Sequence, residues 1–154
     1  RRRRRRRRCP ALAAALAGTG QAKLAEEKLR EAIAIAPTVA EAHYNLGVIL
    51  MNQGRTADAA MEFQRVLQID PSYHGVHFAV GVLSEGEARF EDAISHYRRE
   101  MEIDPQFADA PFRLGVIFER TGNRAAAITA YQQAIRLAPD RQEYRSQLTR
   151  LQER

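Results

Sequence analysis

From Pro10 to Arg141 the apolar residues return at steps of three and four, the spacing that gives a helix one buried stripe and one wet face. The stripes come in pairs. Each predicted helix runs about 12 to 14 residues. Each second helix stops at Pro37, Pro71, Pro105 or Pro139, because proline lacks the N–H and disfavours helix at the residue before it. Neighbouring prolines stand 34 residues apart, so they act as a ruler for the whole chain.

With position 1 of each period set at Ala40, His74 and Ala108, position 7 holds Leu12, Leu46, Val80 and Leu114, and position 8 holds Ala13, Gly47, Gly81 and Gly115. Position 20 is alanine four times, at Ala25, Ala59, Ala93 and Ala127, while position 24 holds Leu29, Phe63, Tyr97 and Tyr131. A small residue faces a large one in every period, which predicts close approach of two helices. Position 15 holds Gly20, Gly54, Ala88 and Gly122, where a glycine can take the left-handed conformation that ends the first helix.

These residues resemble the tetratricopeptide repeat, whose signature is a large residue, Leu-Gly, an aromatic, then alanine, an aromatic, alanine and proline over 34 residues. Residues 40–73, with Glu41, Tyr44, Leu46 and Gly47 at their start and Pro71 near their end, follow it closely, as do residues 108–141. The resemblance covers residues 10–141, and implies an all-α, right-handed α-solenoid of stacked antiparallel helix pairs. Residues 142–154 read as one more helix with Tyr144, Leu148 and Leu151 on one side, a cap over the last pair. Two repeats depart from the pattern. Repeat 1 gives up the first turn of its first helix to arginines, with Pro10 suited to the first helical position. Repeat 3 carries Gly75, Gly81 and Gly86 in its first helix, Ser84 where a larger apolar residue is usual and Glu100 where alanine is usual. It is expected to be the softest, since a helix-interior glycine costs about 1 kcal/mol relative to alanine.

Charge divides the chain. Residues 1–8 are all arginine and supply eight of its 24 Lys and Arg, so the rest carries 16 basic against 19 acidic side chains, a net of −3. Such a run is expected to be solvated, and reads first as an added tag or cell-uptake sequence. A native run would bind nucleic acid or anionic surfaces, more weakly as salt rises. A basic start followed by Cys9, Pro10 and alternating Ala and Leu also has the look of a secretory signal, but Leu12 and Leu16 already fall in register with the repeats. No apolar run approaches the roughly 20 residues of a membrane-spanning helix. The single Cys9 allows no internal disulfide, which is compatible with a cytoplasmic setting.

Catalytic chemistry finds little support, with no glycine-rich phosphate loop, nucleophile elbow or paired cysteines, and no cofactor is expected. His43 and His77 share position 4, and His74 precedes His77 by three residues, a spacing that makes three imidazoles candidates for a metal. Position 4 is a packing site in this repeat, and no metal is expected. Cys9, beside the arginines, is the candidate reactive thiol, with packing at position 4 its plainer role.

The family implies a concave surface of first helices, with positions 2, 5, 9, 12 and 13 facing a ligand. Here these give an expected groove: an aromatic ladder of Tyr44, Phe78 and Phe112 beside Val48, Val82 and Val116, with Glu41, Asp109, Glu85 and Glu119 around it; Arg120, and Asn45 and Arg113 at position 6, are the opposing polar groups. The alternative is that positions 5 and 9 pack partly against neighbouring helices. The carboxylate clamp of some relatives is absent, since only Asn45 or only Arg113 is retained in either register. The expectation is a non-catalytic scaffold for a peptide or helical segment of a partner, with an apolar floor and an acidic rim that suits positive charge. Self-association is also open to it, the arginine run of one copy lying in the acidic groove of another.

Overall fold

The computed structural model describes residues 21–153. Among them are eight helices and no strand: α1 (Ala22–Ile35), α2 (Ala40–Asn52), α3 (Thr56–Ile69), α4 (Val76–Gly86), α5 (Phe90–Ile103), α6 (Asp109–Arg120), α7 (Arg124–Leu137) and α8 (Gln142–Gln152). Gly20, Leu12, Leu16, Cys9, Pro10 and the arginine run lie outside the described residues. The chain divides within α4 into two compact units, the first ending at Ala79 and the second starting at Val80.

The prolines act as expected. α1, α3, α5 and α7 each stop two residues before a ruler proline, and the intervening Ala36, Asp70, Asp104 and Ala138 leave helical geometry with ψ of 81°, 95°, 91° and 75°. The ends of the first helices are just as regular. Gly54, Ala88 and Gly122 take positive φ of 76°, 58° and 80°. In each case the next N–H reaches five residues back, Arg55 to the Leu50 carbonyl, Arg89 to Ser84 and Asn123 to Phe118, at 2.9, 2.9 and 2.8 Å. This is the Schellman closure, which satisfies carbonyls that the helix end leaves open.

In the first unit α2 packs against α1 and α3. A Cβ built on Gly47 would stand 2.6 Å from the Phe63 ring, so the two helices are held at a distance only glycine allows. Leu46, Ile49, Leu50, Ala59, Phe63 and Val66 close the core around that contact. At the surface, Glu26 of α1 accepts from Arg55 at 2.8 Å and from Gln53 at 3.2 Å, tying α1 to the α2–α3 turn.

The second unit repeats the slot twice. A Cβ would meet Tyr97 at 2.6 Å from Gly81 and Tyr131 at 2.5 Å from Gly115. α6 packs against α5 and α7, and α8 against α7. Pro111 sits in the first turn of α6, where its missing N–H leaves no helix bond unmade. Tyr144 and Leu151 of α8 bury themselves with Phe112, Ala127, Tyr131 and Ala134, and Leu148 packs beside them. The face of the last pair is thereby covered.

One expectation changes. Gly75 is not inside a helix: α4 starts at Val76, and Gly75 precedes it at φ 88°. A Cβ there would also lie 2.7 Å from the Tyr44 hydroxyl, so glycine is required on two counts. Gly86 is the last residue of α4, which leaves Gly81 as the one interior glycine of the three.

Candidate functional site

The aromatic ladder is less open than position 5 of the repeat suggests. Tyr44 and Phe112 are each only 8% exposed. Tyr44 lies 5.9 Å from Phe63 and 5.2 Å from Tyr73, centroid to centroid. Phe112 lies 5.6 Å from Tyr131 and stacks on Tyr144 at 4.4 Å with 24° between ring planes. These two rings are core, packed against Tyr73 and Tyr144 in turn. Phe78 is half-buried, as are Val48, Val82 and Val116, so an apolar strip remains at position 9. Asn45 is also half-buried, and its Oδ1 accepts no hydrogen bond.

The acidic rim is likewise engaged from within the chain. Glu85 accepts from the Tyr97 hydroxyl at 2.8 Å and lies 3.6 Å from the Arg113 guanidinium. Glu119 accepts from Tyr131 at 2.9 Å and from Arg150 at 3.4 Å. Asp109 accepts from Tyr144 at 2.6 Å and pairs with Arg141 at 3.3 Å. Each carboxylate therefore meets one tyrosine and one arginine, and the expected acidic surplus at the rim is offset by in-chain cations. Burial first, and the facing carboxylate second, push all three tyrosine hydroxyls far above their ordinary value of 10.0, so they remain donors at neutral pH. Glu41 is exposed at the start of α2.

Beside Glu119 the second unit opens a cleft of about 320 Å³ between α6 and α8, lined by Val116, Glu119, Arg120, Tyr131, Gln147 and Arg150. Val116 and Glu119, expected at a binding face, line this cleft, as does Arg120. Tyr131, Gln147 and Arg150 were missed. Tyr131 carries the signal of a packing position, and the cap helix reads from sequence as a lid and not as a wall. Arg120 lies with its guanidinium carbon 4.8 Å from the Phe90 ring centroid, a cation–π contact.

His43 and His77 each reach back to the turn before their helix. His43, 6% exposed, places Nδ1 2.7 Å from Glu62 and Nε2 3.0 Å from the Pro37 carbonyl. His77 places Nε2 3.3 Å from the Pro71 carbonyl, the same contact one period on. Among the described residues no three His, Cys, Asp or Glu side chains gather as a metal site, and no helix is long and apolar enough to cross a membrane.

Paired helices at a fixed period, glycine under an aromatic ring in the three pairs α2–α3, α4–α5 and α6–α7, and a cap on the last define a helical-repeat scaffold. A family profile described as tetratricopeptide repeat matches residues 11–74 and 79–141, and the chain belongs to that family. Among solved structures, a crystal structure of MamA is 23% identical and spans 87% of this chain and 78% of its own, with a TM-score of 0.74. MamA 41-end from Desulfovibrio magneticus RS-1 is 21% identical over 92% of this chain and 80% of its own, with a TM-score of 0.77. An ArsTM double mutant of MamA RS-1, also 21% identical over the same shares, gives 0.78. These likenesses show the fold: an all-α, right-handed solenoid of stacked antiparallel helix pairs. No curated protein matches the chain. The family is one of protein-interaction scaffolds, and no enzyme family is indicated.

Proposed function

We propose that the chain is a non-catalytic adaptor that holds a short segment of a partner protein against its first helices. Asn45 and Val48 offer the surface in the first unit. In the second, Phe78's helical neighbour Val82, with Glu85, Asp109, Arg113, Val116 and Glu119, offers the other, and the cleft at Val116 receives an anchoring side chain. The observation that carries this reading is that cleft, an apolar floor of Val116 and Tyr131 ringed by charged and amide groups. Its volume is at the low end of ligand pockets, enough for about one or two side chains. Short segments held this way bind in the micromolar range, about −8 kcal/mol.

The test is selection of peptides from a random library on the full chain, followed by titration of the selected peptides against Val116→Gln. Loss of binding with helicity intact supports the cleft as the anchor. Peptides that bind the variant equally well would remove it. Capture by the arginines of residues 1–8 is told apart by salt, since it weakens steeply as ionic strength rises.

A further inference from the structure

The charges around the cleft do not balance. Two arginines, Arg120 and Arg150, line it with one carboxylate, Glu119. Both oxygens of that carboxylate are already engaged, Oε2 by the Tyr131 hydroxyl at 2.9 Å and Oε1 by Arg150 at 3.4 Å. Arg120 is exposed and has no carboxylate partner among the described residues; its guanidinium carbon stands 4.8 Å from the Phe90 ring centroid, a contact that uses none of its N–H donors. Arg150 is 53% exposed and makes one long contact to Glu119, so most of its donors are unused. Gln147 adds a buried Oε1 that accepts no hydrogen bond.

We infer that the cleft between α6 and α8 takes an acidic side chain of the partner segment, with Arg120 and Arg150 receiving its carboxylate. This rests on the adaptor reading above and reverses the sign of ligand charge that the rim's acidic residues suggest from sequence. A lysine or arginine arriving here meets two like charges and a carboxylate already held by two donors. An aspartate or glutamate meets two guanidiniums whose forked donors match a carboxylate, over a floor that excludes water on one side. The arrangement differs from the clamp of some relatives in using the cap helix and position 13 of the last repeat.

Three fluorescent peptides of about 12 residues, a length that spans one helix face, each carry two leucines flanking a central Glu, Gln or Lys. They are titrated against the full chain, the double variant Arg120→Gln with Arg150→Gln, and Val116→Gln. The inference expects the Glu peptide to bind at least about tenfold tighter than the Gln peptide, the gain from a hydrogen bond to a charged group. That preference should vanish in the double variant, whose substituted residues are both exposed and leave the core untouched. If the Gln or Lys peptide binds as tightly, or the Glu preference survives the double variant, as it would if residues 1–8 carried it, the inference is overturned. Loss of binding in Val116→Gln in that same case would leave the adaptor reading standing. Binding of every peptide unaffected by Val116→Gln would overturn both.

Discussion

The helix pair α2–α3 of the first unit and the pairs α4–α5 and α6–α7 of the second share one steric slot and fill it differently. In the first, Gly47 lies under Phe63, and position 12 is Met51. In the second, Gly81 and Gly115 lie under Tyr97 and Tyr131, and position 12 is Glu85 and Glu119, each accepting the tyrosine hydroxyl. Positions 12 and 24 change together within one chain: Ala17 with Leu29, Met51 with Phe63, Glu85 with Tyr97, Glu119 with Tyr131. A buried hydroxyl needs an acceptor and a buried carboxylate needs a donor, so the pair is apolar in both members or polar in both. The polar version also recruits an arginine from farther along the chain, Arg113 or Arg150, linking each pair to the helix that follows.

Alkaline pH should separate the two kinds of pair most strongly. Folded Tyr97, Tyr131 and Tyr144 have hydroxyls raised above 10.0, so their contribution is fully present below that pH and is lost as pH climbs toward the folded values. Tyrosinate absorbance of the second unit should therefore appear together with loss of helical circular dichroism. Replacing all three with phenylalanine should uncouple helix loss from that pH range. Tyrosines that titrate near 10 with the helices intact would refute the burial of these hydroxyls.

The slot itself was legible in the sequence, because four copies of the period set a small residue at position 8 against a large one at position 24. The left-handed ends at Gly54 and Gly122 were legible for the same reason, whereas the positive φ of Ala88 is shown only by the structure. What the period could not show is which side chains from the turns and the cap pack onto the first helices. Tyr73, in the turn after α3, and Tyr144, on the cap, pack against Tyr44 and Phe112, and two expected anchors are core. The acidic rim was counted as charge, while its hydrogen bonds depend on which tyrosines and arginines come within about 3 Å, a matter of helix packing. The covariation of positions 12 and 24 was present in the sequence and would have found the Tyr–Glu pairs.

Enlarging the glycine tests whether the slot is common to both units. Gly47→Val and Gly115→Val each place carbon inside an aromatic ring's van der Waals envelope and should cost about 3 kcal/mol, read as a lower urea midpoint. Equal losses support one slot. A loss at only one of the two positions would mean that the other ring has room to move, and the geometry would not be shared.

Exchanging the ring chemistry has a smaller effect and sharpens the contrast. Phe63→Tyr buries a hydroxyl beside Met51 without an acceptor and should destabilise by about 2 kcal/mol; adding Met51→Glu should recover part of it. Tyr97→Phe removes the donor from buried Glu85 and should cost about 1 kcal/mol. The coupling in a double-mutant cycle between positions 12 and 24 is the decisive quantity. A cycle that sums to zero in both units would show that the two positions vary together by coincidence.

The smallest expected effect is at the turn that both units share. Gly54 and Gly122 take positive φ without cost to a side chain, whereas Ala88 holds the same Schellman closure at φ 58° with a Cβ in the left-handed region. That conformation costs an L-residue about 1 to 2 kcal/mol. Replacing Ala88 with glycine relieves it but frees the unfolded chain, which returns about 0.4 to 1 kcal/mol of the gain. Ala88→Gly should therefore stabilise the chain by about 0.5 to 1 kcal/mol, and Gly122→Ala should destabilise it by a similar amount, since nothing stands within 4 Å of a Cβ at Gly122 and only the backbone term acts. Thermal melts of the two variants check the pair of signs. If Ala88→Gly lowers the melting temperature, the alanine contributes a contact that outweighs its strain, and the third repeat's turn differs from the other two in more than its side chain.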